Sequence, residues 1–479
     1  MPTTRRLSLK TPGQPALEEG LVEIQRALDL PAAFPPEVER AAAEAAAHPR
    51  LPDEDRSDLA LVTLDPAGAM DLDQALHVER NGAGYRVHYA IADVAAFVAP
   101  GDPVDLEAHR RGETLYGADR KIPLHPKVLS EGAASLLPDQ LRPALLWTVD
   151  LDAAGEIAAI DVRRARVRSR ARYDYDGVQR ALDAGTAEPF WDAMRAVGEL
   201  RMQRERARGG VSLPLPEQEI RVDGGAWSLV FRARHAVEDW NEQLSLLTGM
   251  AAAELMVRGG IGLLRTLPPA DPRDLARLHR TAHALGIDWP PQLGYADFIR
   301  SLDPADPHHI AMMTACTVVL RGAAYVAFDG EVPAQSEHAA LAARYAHVTA
   351  PLRRLADRYA SEVCVALCAG GPVPPWVRDA LPALPATMQA SAQRAGRYER
   401  AVLDLAEAAA LAPRVGEVFD GAIVGINPRD GREGEVMLRD PAILAPIVAK
   451  RPLPLGERVR ARLALADPET RKIRFEIAD

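Results

Sequence analysis

The run TLDPAGAMDLDQA, residues 63–75, places Asp65, Asp71 and Asp73 within nine positions of one another at the end of an apolar strand pattern. Carboxylates packed this densely repel, and a divalent cation relieves the repulsion. An all-oxygen donor set without His or Cys suits hard Mg²⁺ or Mn²⁺ better than zinc. A solvated acidic loop is the alternative reading of any D-x-D. Here Pro66, Gly68 and the flanking apolar strands favour a metal site built on a turn. An EF-hand does not fit, because its glycine and its terminal glutamate would both be misplaced.

Outward from this turn, residues 59–64, 76–78 and, after the turn NGAG, 85–91 read as strands, opening a β-rich region near residue 58. Residues 189–208, 237–258, 272–285, 307–327, 353–368 and 387–411 read as helices joined by Pro-rich segments. From about Pro413 the period shortens again, and VGEVFDGAIVGI, GEVMLRD, GERVRARLALAD and KIRFEIAD read as four or five short strands, the pattern of a five-stranded OB barrel. Ahead of the β-rich region, residues 16–28 and 36–48 read as two short amphipathic helices. These predict a small helical module, either a cap or a helix-turn-helix-like unit in which no recognition helix can be named.

The chain has 479 residues, 48% of them apolar and 26% charged, enough for two or three domains with a buried core. That composition excludes a disordered or collagen-like chain. Cys316, Cys364 and Cys368 are too few for a disulfide framework and lack zinc-site spacing, so they read as core thiols and the expected compartment is the cytoplasm. No apolar run approaches the roughly 20 residues of a membrane span, and MPTTRRLSLK lacks the apolar core of a signal peptide. Formal net charge is −10, which argues against a uniformly basic coat, yet nearly all of the 57 basic residues are arginine, the better side chain for gripping phosphate.

The 63–75 run resembles the signature of the RNase II / RNase R (RNB) family of exoribonucleases, T-I-D-x-x-x-x-x-D-x-D-D-A. Further matches follow in order. YAIADVAAFV at 89–98 is similar to V-H-I-A-D-V-s-x-Y-V, residues 105–126 to the L-D-x-E-A-x-x-R-G-x-S-x-Y…I-P-M-L-P run, and RVRSRARYDYDGV at 166–178 to I-R-S-x-A-R-L-T-Y-E-x-V. YAHVTAPLRRLAD at 345–357 resembles Y-A-H-F-T-S-P-I-R-R-Y-x-D, with Ala350 for Ser and Leu355 for Tyr. Glu399-Arg400 stands where the family has its E-R pair, and the C-terminal barrel resembles its trailing RNA-binding domain. The resemblance covers about residues 58–479.

For hydrolysis of a phosphodiester, Asp65, Asp71 and Asp73 would hold metal that activates water and stabilises the leaving oxygen. Arg353 would bind the scissile phosphate. The resemblance implies that Tyr116 stacks on a terminal base, that Tyr175 lies near the RNA channel and that Glu399 positions the 3′ nucleotide. The aromatic partner expected for Tyr116 is absent, since the corresponding stretch RGGIGLLRT, 258–266, is aliphatic. Arg164, Arg166, Arg168, Arg170 and Arg172 alternate along one strand pattern, which reads equally as a phosphate track or as a solvated face. Gln74 replaces the family's fourth aspartate, removing one charge but keeping a carbonyl oxygen as a fourth metal ligand. Fewer than 60 residues precede the catalytic region, too few for the two cold-shock domains usual in the family.

These readings predict an α+β chain: a small helical module at 1–57, an RNB-type catalytic domain at 58–412 and a C-terminal OB barrel at 413–479. The expected activity is that of a monomeric, Mg²⁺-dependent exoribonuclease that degrades single-stranded RNA from the 3′ end to nucleoside 5′-monophosphates, with direction, product and processivity implied by the resemblance. Mn²⁺ is the substitute ion. The rival is a catalytically silent RNA-binding protein that kept the fold, against which the presence of Asp65, Asp71, Asp73, Arg353 and Glu399 speaks. A DNA-binding regulator finds no basic helix to support it.

Overall fold

A computed structural model describes residues 15–31, 33–117, 121–213, 217–223, 226–232, 234–304, 306–438 and 443–478. Its main sheet has four antiparallel strands in chain order: Gln74–Asn81, Gly84–Ala92, Leu141–Leu151 and Ile157–Arg168. The first hairpin turns through Gly82, whose φ of +58° suits a residue without Cβ. Strand Gly84–Ala92 is apolar on both faces because both are covered. Val87, Tyr89 and Ile91 enter a core shared with helices Ala236–Gly259 and Leu355–Cys368. Ala90 and Ala92, on the other face, join Val38 and Ala42 of helix Pro36–Ala47 and Val104 of helix Pro103–Arg111.

A second, short pairing positions the acidic run: strand Thr63–Asp65 lies parallel to Arg172–Asp174, with Asp65 opposite Asp174. At the other end of the chain five strands close a barrel in the order Val418–Asn427, Asp430–Leu438, Ile443–Val448, Lys472–Ile477, Arg458–Asp467, with Phe419, Ile423, Val436 and Phe475 in its interior. The fold is thus mixed helix and strand with a C-terminal five-stranded barrel, as expected. Pro446 lies inside the third barrel strand, the one that the sequence pattern had passed over.

Three local expectations change. Helix Pro307–Cys316 stops short of residue 327. After a 3-10 turn at Thr317–Leu320 and Gly322 at φ +92°, the chain becomes strand Ala324–Asp329, paired with Ile261–Thr266. The arginine-rich strand ends at Arg168, Ser169 makes only an isolated bridge to Pro138, and the next strand begins at Arg172. The two N-terminal helices belong to different cores. Helix Pro15–Ala27 packs on the long helix Leu384–Leu411 beside the barrel, whereas helix Pro36–Ala47 packs on Pro103–Arg111. Among the described residues no helix is long and apolar enough to cross a membrane.

Candidate active site

The loop between Asp65 and Gln74 is pinned at several points. Gly68, at φ +82°, makes the turn; Ser135 Oγ accepts from the Leu72 N–H at 3.0 Å and donates to the Met70 carbonyl at 2.7 Å. Arg172 donates to the Ala69 carbonyl at 3.2 Å. At the loop's end Asp73 is buried, 4% exposed. Its Oδ1 accepts from the Leu352 N–H at 2.8 Å, and its Oδ2 lies 3.5 Å from Arg353 Nε. Burial pushes the Asp73 carboxyl up to about 8, a shift opposed by Arg353 and the Leu352 N–H.

Arg353 does not lie in helix Leu355–Cys368 but in the turn before it, and its guanidinium also hydrogen-bonds Tyr116. The turn is held by Asp357, which accepts from the Ala350 N–H at 2.7 Å and receives Arg354 bidentately at 2.9 and 2.8 Å. Tyr116 lies on the short strand Leu115–Tyr116, paired with Lys121–Ile122. The structure therefore brings Asp73, Arg353 and Tyr116 together as one connected group.

The hydroxyl of the fully buried Tyr89 donates to Gln74 Oε1 at 3.4 Å and is faced by Asp65, Arg353, Tyr175 and Tyr345. The Gln74 amide nitrogen donates to the Thr349 carbonyl. Asp71 Oδ1 lies 2.7 Å from Lys121 Nζ, and the Asp71 charge also bears on Asp73, adding to the upward push on its carboxyl. Tyr175 opens helix Tyr175–Asp183, capped by Asp174, and its hydroxyl accepts from Asn241 at 3.0 Å. Glu399, on the long helix, is pushed up to about 7 by burial and then by the nearby Glu113. Glu113 is in turn faced by Ser391, Arg354, Arg265 and Arg394, and its backbone bridges Arg354.

The arginine row divides. Arg164 is held by Asp93 at 2.8 Å and by Glu362, Arg166 lies 3.2 Å from Asp55, and Arg170 donates to the Asp58 carbonyl at 2.8 Å. These contacts fasten residues 55–58 and the helix Leu355–Cys368 to the sheet. Arg168 is exposed.

Among the described residues no three carboxylate, imidazole or thiol side chains are grouped to hold an ion. Mg²⁺ needs fewer, because it is commonly held by one or two carboxylates, with water and substrate phosphate completing the shell. The desolvated Asp73, whose ionisation a cation would favour, fits that demand, and Asp65 faces the same Tyr89 hydroxyl as Arg353 does. Sequence reasoning missed Lys121, Tyr89, Glu113 and Asp357. Asp357 stands in the quoted 345–357 run, but its role as a turn staple emerges only when the backbone N–H of Ala350 is seen to face it.

Residues 53–368 match the RNB domain family and residues 417–478 the RNase II-type exonuclease C-terminal S1 domain. The chain belongs to the RNB family. Ribonuclease R of Thermotoga maritima is 29% identical over 289 residues, covering 57% of this chain and 41% of that protein. The chain thus spans about four-tenths of the length of the first curated relatives it matches. The apo form of Mycoplasma genitalium RNase R superposes with a TM-score of 0.85 at 20% identity, over 97% of this chain and 78% of that one; the same protein has been solved with ribose methylated single-stranded RNA and with double-stranded RNA. Yeast Ssd1, a pseudonuclease, superposes at 0.70 with 16% identity, over 91% of this chain and 56% of its own.

Proposed function

We propose that this chain is a Mg²⁺-dependent exoribonuclease that degrades single-stranded RNA from the 3′ end, processively, to nucleoside 5′-monophosphates. The observation that carries the reading is the connected group Asp73, Arg353 and Tyr116: a buried carboxylate, a fork for phosphate and a ring for a base, joined in one place. Membership of the RNB family supports it, and exonucleases of that family generally depend on a divalent metal.

Asp65 and Asp73 would hold the ion, which when bound supplies an activated water and neutralises charge on the leaving oxygen. Arg353 would donate to the scissile phosphate and offset the charge developing there. Tyr116 would stack on the terminal base, a contact tolerant of sequence because every base presents a π-face. Glu399 would position the 3′ nucleotide.

Labelled oligoribonucleotide and oligodeoxyribonucleotide, each with Mg²⁺, with Mn²⁺ or with EDTA, test the proposal. Stepwise shortening of RNA from the 3′ end, with mononucleotide release and loss of activity in EDTA, is expected. RNA binding with no shortening in either metal would instead identify a silent RNA-binding protein.

A further inference from the structure

The outer face of the barrel meets the helical layer along strand Val418–Asn427, where Val424 joins Ile310 and Met313 of helix Pro307–Cys316 in one apolar cluster. The seam is tight at the loop that crosses it. Gly456 has a φ of +82°, and a Cβ there would meet Leu285 Cδ2 at 2.4 Å and His308 Cγ at 3.2 Å. Two residues further along the chain the seam opens into a cleft of about 480 Å³. Pro307 and Ile310 line its helical side, and Ala422, Val424 and Met437 line its barrel side. A largely apolar cleft of this order at a domain interface, with a few convergent polar groups, is the usual form of a small-ligand site. None of Asp65, Asp73, Tyr116, Arg353 and Glu399 lines it, so it is separate from the site described above.

The charged groups on the cleft are Arg458, Arg460 and Asp420. The two arginines stand either side of Val459 on strand Arg458–Asp467, so both side chains leave the barrel on its outer face, about 7 Å apart along the strand. Both are exposed, and among the described residues neither makes an ion pair or a side-chain hydrogen bond. Asp420 lies opposite Arg460 in register, whereas Arg458 lies opposite Ala422, whose small side chain takes up little of the space beside it. Two cations against one carboxylate leave the mouth of the cleft positive.

An aliphatic slot with two guanidinium forks at its mouth recognises a flat apolar body that carries an anionic end. A terminal phosphate offers enough oxygens to engage both forks at once, which a bare apolar ligand does not. We propose that the cleft binds a nucleoside 5′-monophosphate, with the base against Ile310, Val424 and Met437 and the phosphate on Arg458 and Arg460. The proposal rests on the exoribonuclease reading for the source of its ligand, because hydrolysis of RNA to mononucleotides releases molecules of this class. Product bound at the seam would act on the chain from outside the place where it is formed.

Equilibrium dialysis of the full chain in EDTA against labelled adenosine 5′-monophosphate, adenosine or inorganic phosphate tests the proposal. Saturable binding of one monophosphate per chain is expected, with adenosine and phosphate each weaker by about tenfold or more, since each fills only one half of the cleft. Arg458→Ala combined with Arg460→Ala should weaken the monophosphate by about tenfold or more, and so should Ala422→Leu, which fills the cleft. Arg353→Ala should leave its binding unchanged, and circular dichroism checks that each variant is folded. No saturable binding, phosphate bound as tightly as the monophosphate, or binding that needs Arg353 and ignores the cleft variants would overturn the proposal. So would a cleft that holds an oligoribonucleotide and no mononucleotide, which would make the seam part of the RNA's path. Hydrolysis of RNA by wild type in Mg²⁺ is read separately, so an empty cleft leaves the exoribonuclease reading standing, and failed hydrolysis leaves the dialysis result intact.

Discussion

Asp73→Asn isolates the charge at the centre of the site. The substitution keeps the Oδ1 acceptor for the Leu352 N–H bond at 2.8 Å, removes the ionisation and puts an NH2 donor where Oδ2 faces Arg353. In the unfolded chain an aspartate titrates near 3.9, whereas in the fold burial lifts Asp73 to about 8. The folded state therefore holds a proton that the unfolded state has lost across this whole window, and wild-type stability falls as pH rises from about 4 to 8. At pH 7 roughly three units of this window have been crossed, which at about 1.4 kcal/mol per unit gives about 4 kcal/mol as an upper figure, or about 2 kcal/mol if the site relaxes by half. In EDTA, Asp73→Asn should accordingly be the more stable protein at pH 7 to 8 by about 2–4 kcal/mol in urea unfolding, and the two curves should converge near pH 4. The same variant should lose hydrolysis and keep RNA binding, because Tyr116 and the arginines are untouched. A variant less stable than wild type at pH 8 in EDTA would refute the view of Asp73 as a desolvated carboxylate awaiting a cation. Wild-type turnover in the variant would refute its role in the chemistry.

Asp105→Ala takes from the buried Arg358 the carboxylate that it contacts at 2.6 Å; it should cost about 3–5 kcal/mol in denaturant unfolding, and Arg358→Met in the same chain should recover much of it. Glu113→Gln removes the charge that helps raise Glu399, so Glu399 should titrate lower. If the ionised form of Glu399 is the active one, activity lost as pH falls through about 7 should then persist to lower pH, and an unmoved acidic limb of the pH–rate profile would exclude that coupling. Tyr116→Ala should weaken binding of single-stranded RNA by about 1–3 kcal/mol, the worth of one stacked base, in fluorescence anisotropy; unchanged affinity would mean that no base stacks there.

What was legible in the sequence was whatever local pattern controls. The helices at 189–208 and 237–258 and the strand at 85–91 have clear periods, and their observed bounds, Phe190–Arg208, Ala236–Gly259 and Gly84–Ala92, differ by a residue or so. The closed barrel followed from turn spacing. Elements set by tertiary context were not legible. Ala324–Asp329 forms a strand because Ile261–Thr266 offers it a partner, although its residues alone continue a helical pattern. The alternation of Arg164 to Arg172 was visible, but not that Asp93, Glu362, Asp55 and the Asp58 carbonyl would take up several of those arginines. The acidic run announced a charged site, yet its sequence could not show Asp71 turned to a lysine some fifty residues downstream.

The precision of the site comes from backbone more than from side chains. The Arg353 carbonyl accepts from the Thr114 N–H at 2.9 Å, and the Leu355 N–H donates to the Gly112 carbonyl at 2.9 Å. The turn that carries Arg353 is therefore laced to the segment that carries Tyr116, and Asp357 closes the turn from within. The long helix Leu384–Leu411 docks on the same segment: Gly112 has a φ of +76°, and a Cβ there would meet Ser391 Cβ at 2.6 Å, so only glycine lets helix and segment approach this closely. Arg394 fixes the contact by donating to the Arg110 and Arg111 carbonyls at 3.0 and 2.8 Å. The residues proposed to grip phosphate, base and 3′ nucleotide sit on three elements that meet at 112–116, and hydrogen bonds set their spacing before any substrate arrives. A chain end drawn through such a site would meet the same geometry at every step, as the proposed repeated removal of single nucleotides requires.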